Sequence, residues 1–163
     1  MKNSNHRYQS LSGKFIIAFS LFCFLFFGNY SFAQYNQWAW MKDYNFTNSF
    51  GSYGTLGIAN VSNVPPSRYA ATKWTDNTGK FWVYGGYRLD IFREMYCDLW
   101  SFDKVTNNWT WVNGYNTPNH SPVGVLGVPS TTNNPGNRAF GSTPWTDNAG
   151  NLWLLGGNDS SCN

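Results

Sequence analysis

Few residues in this chain have the type and spacing that chemistry requires. His120 is the one histidine beyond the N-terminal stretch, and it stands in Asn119-His120-Ser121-Pro122 within a long polar segment. A single loop histidine offers neither a metal set nor a base with an orienting partner, so it reads as a solvated polar residue. Asp98 and Asp103 flank a short apolar run, as an acid and a nucleophile could in a glycosidase. Asp103, however, opens a polar turn of the kind that joins two strands. Asp90, Glu94 and Asp98 stand close to Arg88 and Arg93, a mixture expected to form a solvated, mixed-charge edge. Asp76-x-x-Gly79 and Asp147-x-x-Gly150 have the look of calcium loops. An EF-hand counted from Asp76 would need Glu at its twelfth position, and Tyr87 stands there, so both read as hairpin turns. There is no Gly-x-Ser-x-Gly nucleophile turn and no glycine-rich phosphate loop before a helix. Asn-x-Ser/Thr sequons at Asn45, Asn60, Asn108, Asn119 and Asn158 are what so asparagine-rich a chain produces by coincidence. No catalytic residue, metal ligand or cofactor is therefore assigned.

Aromatic side chains remain. Their faces could stack on the apolar faces of a sugar. Trp82, Trp100, Trp109 and Trp111 fall in strand-like runs and are expected to serve packing. Tyr44, Phe46, Phe50, Tyr53, Tyr87 and Tyr115 lie in loop-like segments. Of these Tyr44, Phe46, Tyr53, Tyr87 and Tyr115 are taken as the candidate ligand-binding residues.

The elements that position them follow from an internal repeat. Residues 74–86 read WTDNTGKFWVYGG and residues 145–157 read WTDNAGNLWLLGG, with eight of thirteen positions identical at an offset of 71. Arg68 matches Arg138, Gly54-x-Leu-Gly57 matches Gly124-x-Leu-Gly127, and Trp38-Ala39-Trp40 matches Trp109-Thr110-Trp111. One unit reads as four strands: residues 68–74, 80–84, 97–103 and 108–112. Turns fall at residues 76–79, where Asp and Asn cap their own backbone, and at residues 104–107. In the second strand Phe81 and Val83 point one way and Trp82 and Tyr84 the other, so both faces need cover. The small Ala70 and Ala71 suit a crowded first strand, and Gly85-Gly86 suits a sharp turn at the end of the second. Nothing beyond residue 34 carries a sustained helical period.

Arginine, an aromatic strand closed by Gly-Gly, then LWSFD, a short turn and spaced tryptophans: this order resembles the kelch repeat, also found in the propeller domain of galactose oxidase-like proteins. The resemblance spans most of residues 35–157 and implies an all-β, kelch-type β-propeller with one four-stranded blade per unit. About one and a half blades plus a leading outer strand, residues 35–42, are expected. Because propellers have roughly four to eight blades, the chain is expected to be a fragment or a truncated reading frame. The period of 70 to 71 exceeds the roughly 50 residues of a kelch unit, and the excess lies in residues 41–67 and 112–137. The oxidase branch of the resemblance implies copper held by two histidines and two tyrosines, a set that one histidine cannot supply.

Residues 1–33 have the order of a secretory signal peptide: Lys2, Arg7 and Lys14, an apolar run at residues 15–27, then Ser31-Phe32-Ala33. The run is too short to span a bilayer, which takes roughly 20 residues. The chain has eight acids and a net charge of +3, and the leader holds three of its eleven Lys and Arg. Residues 34–163 are thus neutral and lack the basic patch that nucleic acid demands. Export permits a Cys97–Cys162 disulfide without requiring it. The expected function is a secreted or cell-surface interaction module that holds a protein or carbohydrate ligand through the long loops. Trimming residues 44–60 or 115–133 is expected to abolish binding and leave the blades folded. The alternative is the N-terminal part of a carbohydrate-acting enzyme whose active-site residues lie elsewhere.

Overall fold

The structure is a computed structural model that describes residues 39–89, 91 and 93–159. The leader and Cys162 lie outside them. The described residues from Trp40 onward belong to one compact unit, and every regular element in it is a strand. No helix among the described residues is long and apolar enough to cross a membrane.

Strands β1 (Thr72–Thr75), β2 (Phe81–Tyr84), β5 (Leu99–Asp103) and β6 (Asn108–Asn113) form an antiparallel sheet in the order β1-β2-β5-β6. Its register pairs Trp74 with Trp82, Val83 with Trp100, and Trp100 with Trp111. Cross-strand aromatic pairs of this kind are a main source of sheet stability. β7 (Ala139–Thr146) and β8 (Leu152–Asn158) form a two-stranded antiparallel sheet that repeats β1 and β2. Each sheet is open among the described residues.

The WTDNxGxxW motif folds identically in its two copies. Asp76 Oδ1 accepts the N–H groups of Thr78 and Lys80, and Asp147 Oδ1 accepts those of Ala149 and Asn151. The second carboxylate oxygen accepts the indole N–H six residues on, from Trp82 at 2.7 Å and from Trp153 at 2.9 Å. The aspartate thus caps the turn and fixes the following strand, as the hairpin reading required. These donors favour the carboxylate. At Asp76 burial pushes the pKa up, but the bonds from Thr78, Trp82 and the backbone outweigh it and leave it at about 2. At Asp147 the Trp153 and Asn151 bonds also bring it to about 2.

The two sheets pack on one another through Trp74, Tyr84 and Cys97, with Trp82, Leu99, Leu152 and Leu154 against them. Trp74 Nε1 donates to the carbonyl of Trp153 at 2.9 Å. Gly85 shows why the strand must end in glycine. Its φ is +63°, and a Cβ there would collide with the carbonyl of Arg138. Cys97 is a free, fully buried thiol whose pKa burial pushes up.

Three expectations need correction. The first strand starts at Thr72, because Ala70 has a φ of +54° and Tyr69 bridges to Tyr87 instead. Residues 39–42 form no strand: the β6 carbonyls of Trp109 and Trp111 already accept the N–H groups of Asn60 and Gly57. Arg88, Glu94 and Asp98 are not a solvated edge, while Arg93 is exposed and Asp90 lies outside the described residues. β3 (Tyr87–Arg88) and β4 (Glu94–Met95) make a small hairpin, Arg88 pairs with Glu94 at 2.6 Å, and Arg88 and Asp98 are buried. The long loops also share a repeated skeleton. Ser52 bridges to Val64 and Val123 to Asn134. Asn63 Nδ2 donates to Ile58 O and Asn133 Nδ2 to Val128 O, each at 2.8 Å.

Candidate binding cleft

The first loop is pinned to the sheet by a buried polar centre. Asp98, at the approach to β5, is fully buried. Arg68 Nη1 and Nη2 donate to its two oxygens at 2.6 and 2.8 Å. The hydroxyl of Tyr53 and the indole N–H of Trp100 both donate to Oδ2, at 2.6 and 2.7 Å. Arg68 also donates to the carbonyls of Gly85 and Pro66 and lies 4.4 Å from the Tyr96 ring centroid. A buried carboxylate is tolerated only when so completely satisfied. Burial alone would raise the Asp98 pKa, but the Arg68 charge and the donated bonds outweigh it and hold it below the usual carboxylate value. Burial, then the Asp98 charge, pushes the Tyr53 hydroxyl far up, so it stays a donor.

Above this centre a cleft of about 510 Å³ opens between residues 40–48, residues 65–69, the Tyr87–Leu89 segment and the sheet residues Val83 and Trp109. Several short contacts hold its outer wall. Lys42 Nζ donates to Asn107 O at 3.0 Å, Asn107 Nδ2 donates to Met41 O at 3.0 Å, and Ser67 N donates to Ser49 O at 2.9 Å. Asp43 has a φ of +106°, and its carboxylate accepts the Tyr44 N–H at 2.6 Å. Burial raises the Asp43 pKa, against the Tyr44 bond and the Arg68 charge.

Aromatic rings dominate the lining. Tyr44 and Phe46 stack with centroids 5.1 Å apart. Tyr69 meets Tyr87 edge-on at 5.4 Å. Trp40 and Phe46 are 70% and 59% exposed, far more than packing residues would be. Asp43, Asn48, Arg68 and Arg88 supply polar groups around them. Apolar faces with a few convergent polar groups make a binding cleft. Among the described residues no three of His, Cys, Asp and Glu gather where they could hold a metal.

Of the five candidate aromatics, Tyr44, Phe46 and Tyr87 converge on the cleft. Tyr53 does not: its ring packs against Trp100 and Trp111 with centroids 5.0 and 5.1 Å away, and its hydroxyl serves Asp98. Tyr115 lies apart, stacked on His120 at 3.9 Å. Trimming residues 44–60 would therefore strip a donor from Asp98 as well as remove the cleft wall. Trp40 and Tyr69 are cleft residues that the sequence reading missed. Trp40 belongs to a repeated Trp-x-Trp whose pattern predicts a strand. The repeat gives no signal for Tyr69, because its counterpart is Ala139: Tyr69 pairs with Tyr87 as Ala139 pairs with Asn158.

Comparison of the chain with family models, with curated proteins and with solved structures returns no match.

Proposed function

We propose that the protein is a secreted or cell-surface interaction module built of kelch-type propeller blades, which binds a carbohydrate through the aromatic cleft of its first long loop. The blade reading rests on the four-stranded antiparallel order β1-β2-β5-β6 and its partial repetition at an offset of 71. The observation that carries the ligand reading is the exposed Trp40, Tyr44 and Phe46 set beside Asp43 and Asn48. Ring faces cover the C–H faces of a saccharide, and carboxylate and amide groups accept and donate to its hydroxyls. A rigid anchor beneath, the Arg68–Asp98 pair, keeps the wall in place without ligand.

An array of soluble and immobilised oligosaccharides, probed with the chain and with its Tyr44→Ala/Phe46→Ala variant, tests this. Binding by the parent to at least one saccharide class, lost in the variant, is expected. Failure to bind any saccharide, or equal binding by the variant, sinks the carbohydrate reading and leaves a protein ligand as its replacement.

A further inference from the structure

The two repeats share a strained backbone position and fill it differently. Ala70 has a φ of +54° and its counterpart Phe140 a φ of +41°. The Phe140 N–H donates to the Ala70 carbonyl at 3.3 Å. The left-handed backbone therefore belongs to the repeat, and the choice of side chain does not. A glycine would hold it without strain, as Gly141 does next door at +72°. A phenylalanine at positive φ is an outlier, because its side chain is bulky. Such residues persist only where their surroundings hold them, and they gather at ligand clamps and active sites.

The surroundings of Phe140 are rings of the cleft. Its centroid lies 5.5 Å from that of Tyr69, edge-on, and 6.2 Å from that of Tyr87. Tyr69 and Tyr87 both line the cleft. Phe140 is not among the residues that join the two sheets around Trp74, Tyr84 and Cys97, so that junction does not account for its ring. Two aromatic groups thus serve one cleft. Tyr44 and Phe46 stack at 5.1 Å, with Asp43 and Asn48 beside them in the lining. Tyr69, Tyr87 and Phe140 form the other group, drawn from the end of the first loop, β3 and β7. Among the described residues no ring contact joins the two groups.

Resting on the carbohydrate reading of the cleft, we propose that its ligand is an oligosaccharide chain and that Phe140 is a specificity-determining residue. Its ring, with Tyr69 and Tyr87, makes a second stacking subsite for a sugar unit beyond the one held by Tyr44 and Phe46. Each ring group covers the C–H face of one sugar, so a single sugar uses one group and a chain uses both. The cleft, at about 510 Å³, is of the size that encloses a drug-sized ligand, roughly 300–1,000 Å³. The second repeat thereby adds a ring to a site whose outer wall belongs to the first loop. Ala70, at the counterpart position, has no ring to offer.

Isothermal titration of the full chain with saccharides of the class retained on the array, from the single sugar to longer chains, tests it. The readout is the ratio of chain affinity to single-sugar affinity. In the parent that ratio is expected to be at least tenfold. Phe140→Leu keeps the strained backbone and the apolar bulk but lacks a ring face, and is expected to bring the ratio close to one. Phe140→Tyr keeps the ring and is expected to hold the parent's ratio. A parent that binds both equally, a Phe140→Leu that keeps the parent's ratio, or a Phe140→Tyr that loses it would overturn the inference and leave the carbohydrate reading standing. A loss in Phe140→Leu that falls equally on single sugar and chain, with a lower urea midpoint, would also overturn it and make Phe140 a residue of the fold. A parent that binds no saccharide overturns both this inference and the reading beneath it.

Discussion

Arg68 and Asp98 stand 30 residues apart in sequence and meet as a two-pronged ion pair, Nη1 to Oδ1 at 2.6 Å and Nη2 to Oδ2 at 2.8 Å. The pair lies under the cleft and joins the first loop, the end of β2 and the start of β5. Removing one partner leaves the other buried and uncompensated. Asp98→Asn is expected to destabilise the fold by about 3–5 kcal/mol, measured by urea denaturation. Combined with Arg68→Met, the two losses should fall well short of additive. Additive losses would mean that the two residues do not act as a pair.

Tyr53 separates support of the cleft from contact with ligand. Tyr53→Phe keeps the ring against Trp100 and Trp111 and removes one donor to Asp98. The expected cost is about 1–2 kcal/mol, with ligand affinity at the cleft unchanged. A large loss of affinity at full stability would place Tyr53 among the contact residues.

Acid should act through the turn aspartates. Asp76 and Asp147 have folded pKa values of about 2 against an ordinary 3.8. A depressed carboxylate contributes stability that is present above its unfolded pKa and is lost as pH falls through the folded one. The Tm is therefore expected to fall between pH 4 and 2, with Asp98 adding to the loss in the same direction. In Asp76→Asn/Asp147→Asn the fall should be shallower, as scanning calorimetry would show.

Gly85 tests the junction between the sheets. Its φ of +63° and its contact with the Arg138 carbonyl leave no room for a side chain. Gly85→Ala is expected to cost about 1–3 kcal/mol from backbone strain alone, and to expose Trp74 to solvent in fluorescence quenching. An unchanged emission spectrum and midpoint would count against this packing.

The strands were legible because the chain repeats. The identical WTDN turn, the paired Trp and the Gly-Gly each mark a position that both copies need. The buried charges were not legible. Asp98 sits among Arg88, Arg93 and Glu94, and composition alone makes such a stretch look solvated. Only the three-dimensional return of Arg68 and Tyr53 from the preceding loop turns it into a core residue. The cleft was half legible for a related reason. Tyr44, Phe46 and Tyr87 stood out as loop aromatics, but so did Tyr53 and Tyr115, and no local signal tells a ring that faces solvent from one that packs on Trp100 or His120.

Isothermal titration is the most direct measurement of the central claim, that the cleft of Trp40, Tyr44, Phe46, Tyr69 and Tyr87 is the ligand site. A saccharide selected on the array would be titrated into the parent, into Tyr44→Ala/Phe46→Ala and into Tyr115→Ala. The account predicts at least a tenfold loss of affinity in the double variant and none in Tyr115→Ala. Equal affinity in all three, or a loss confined to Tyr115→Ala, would contradict it.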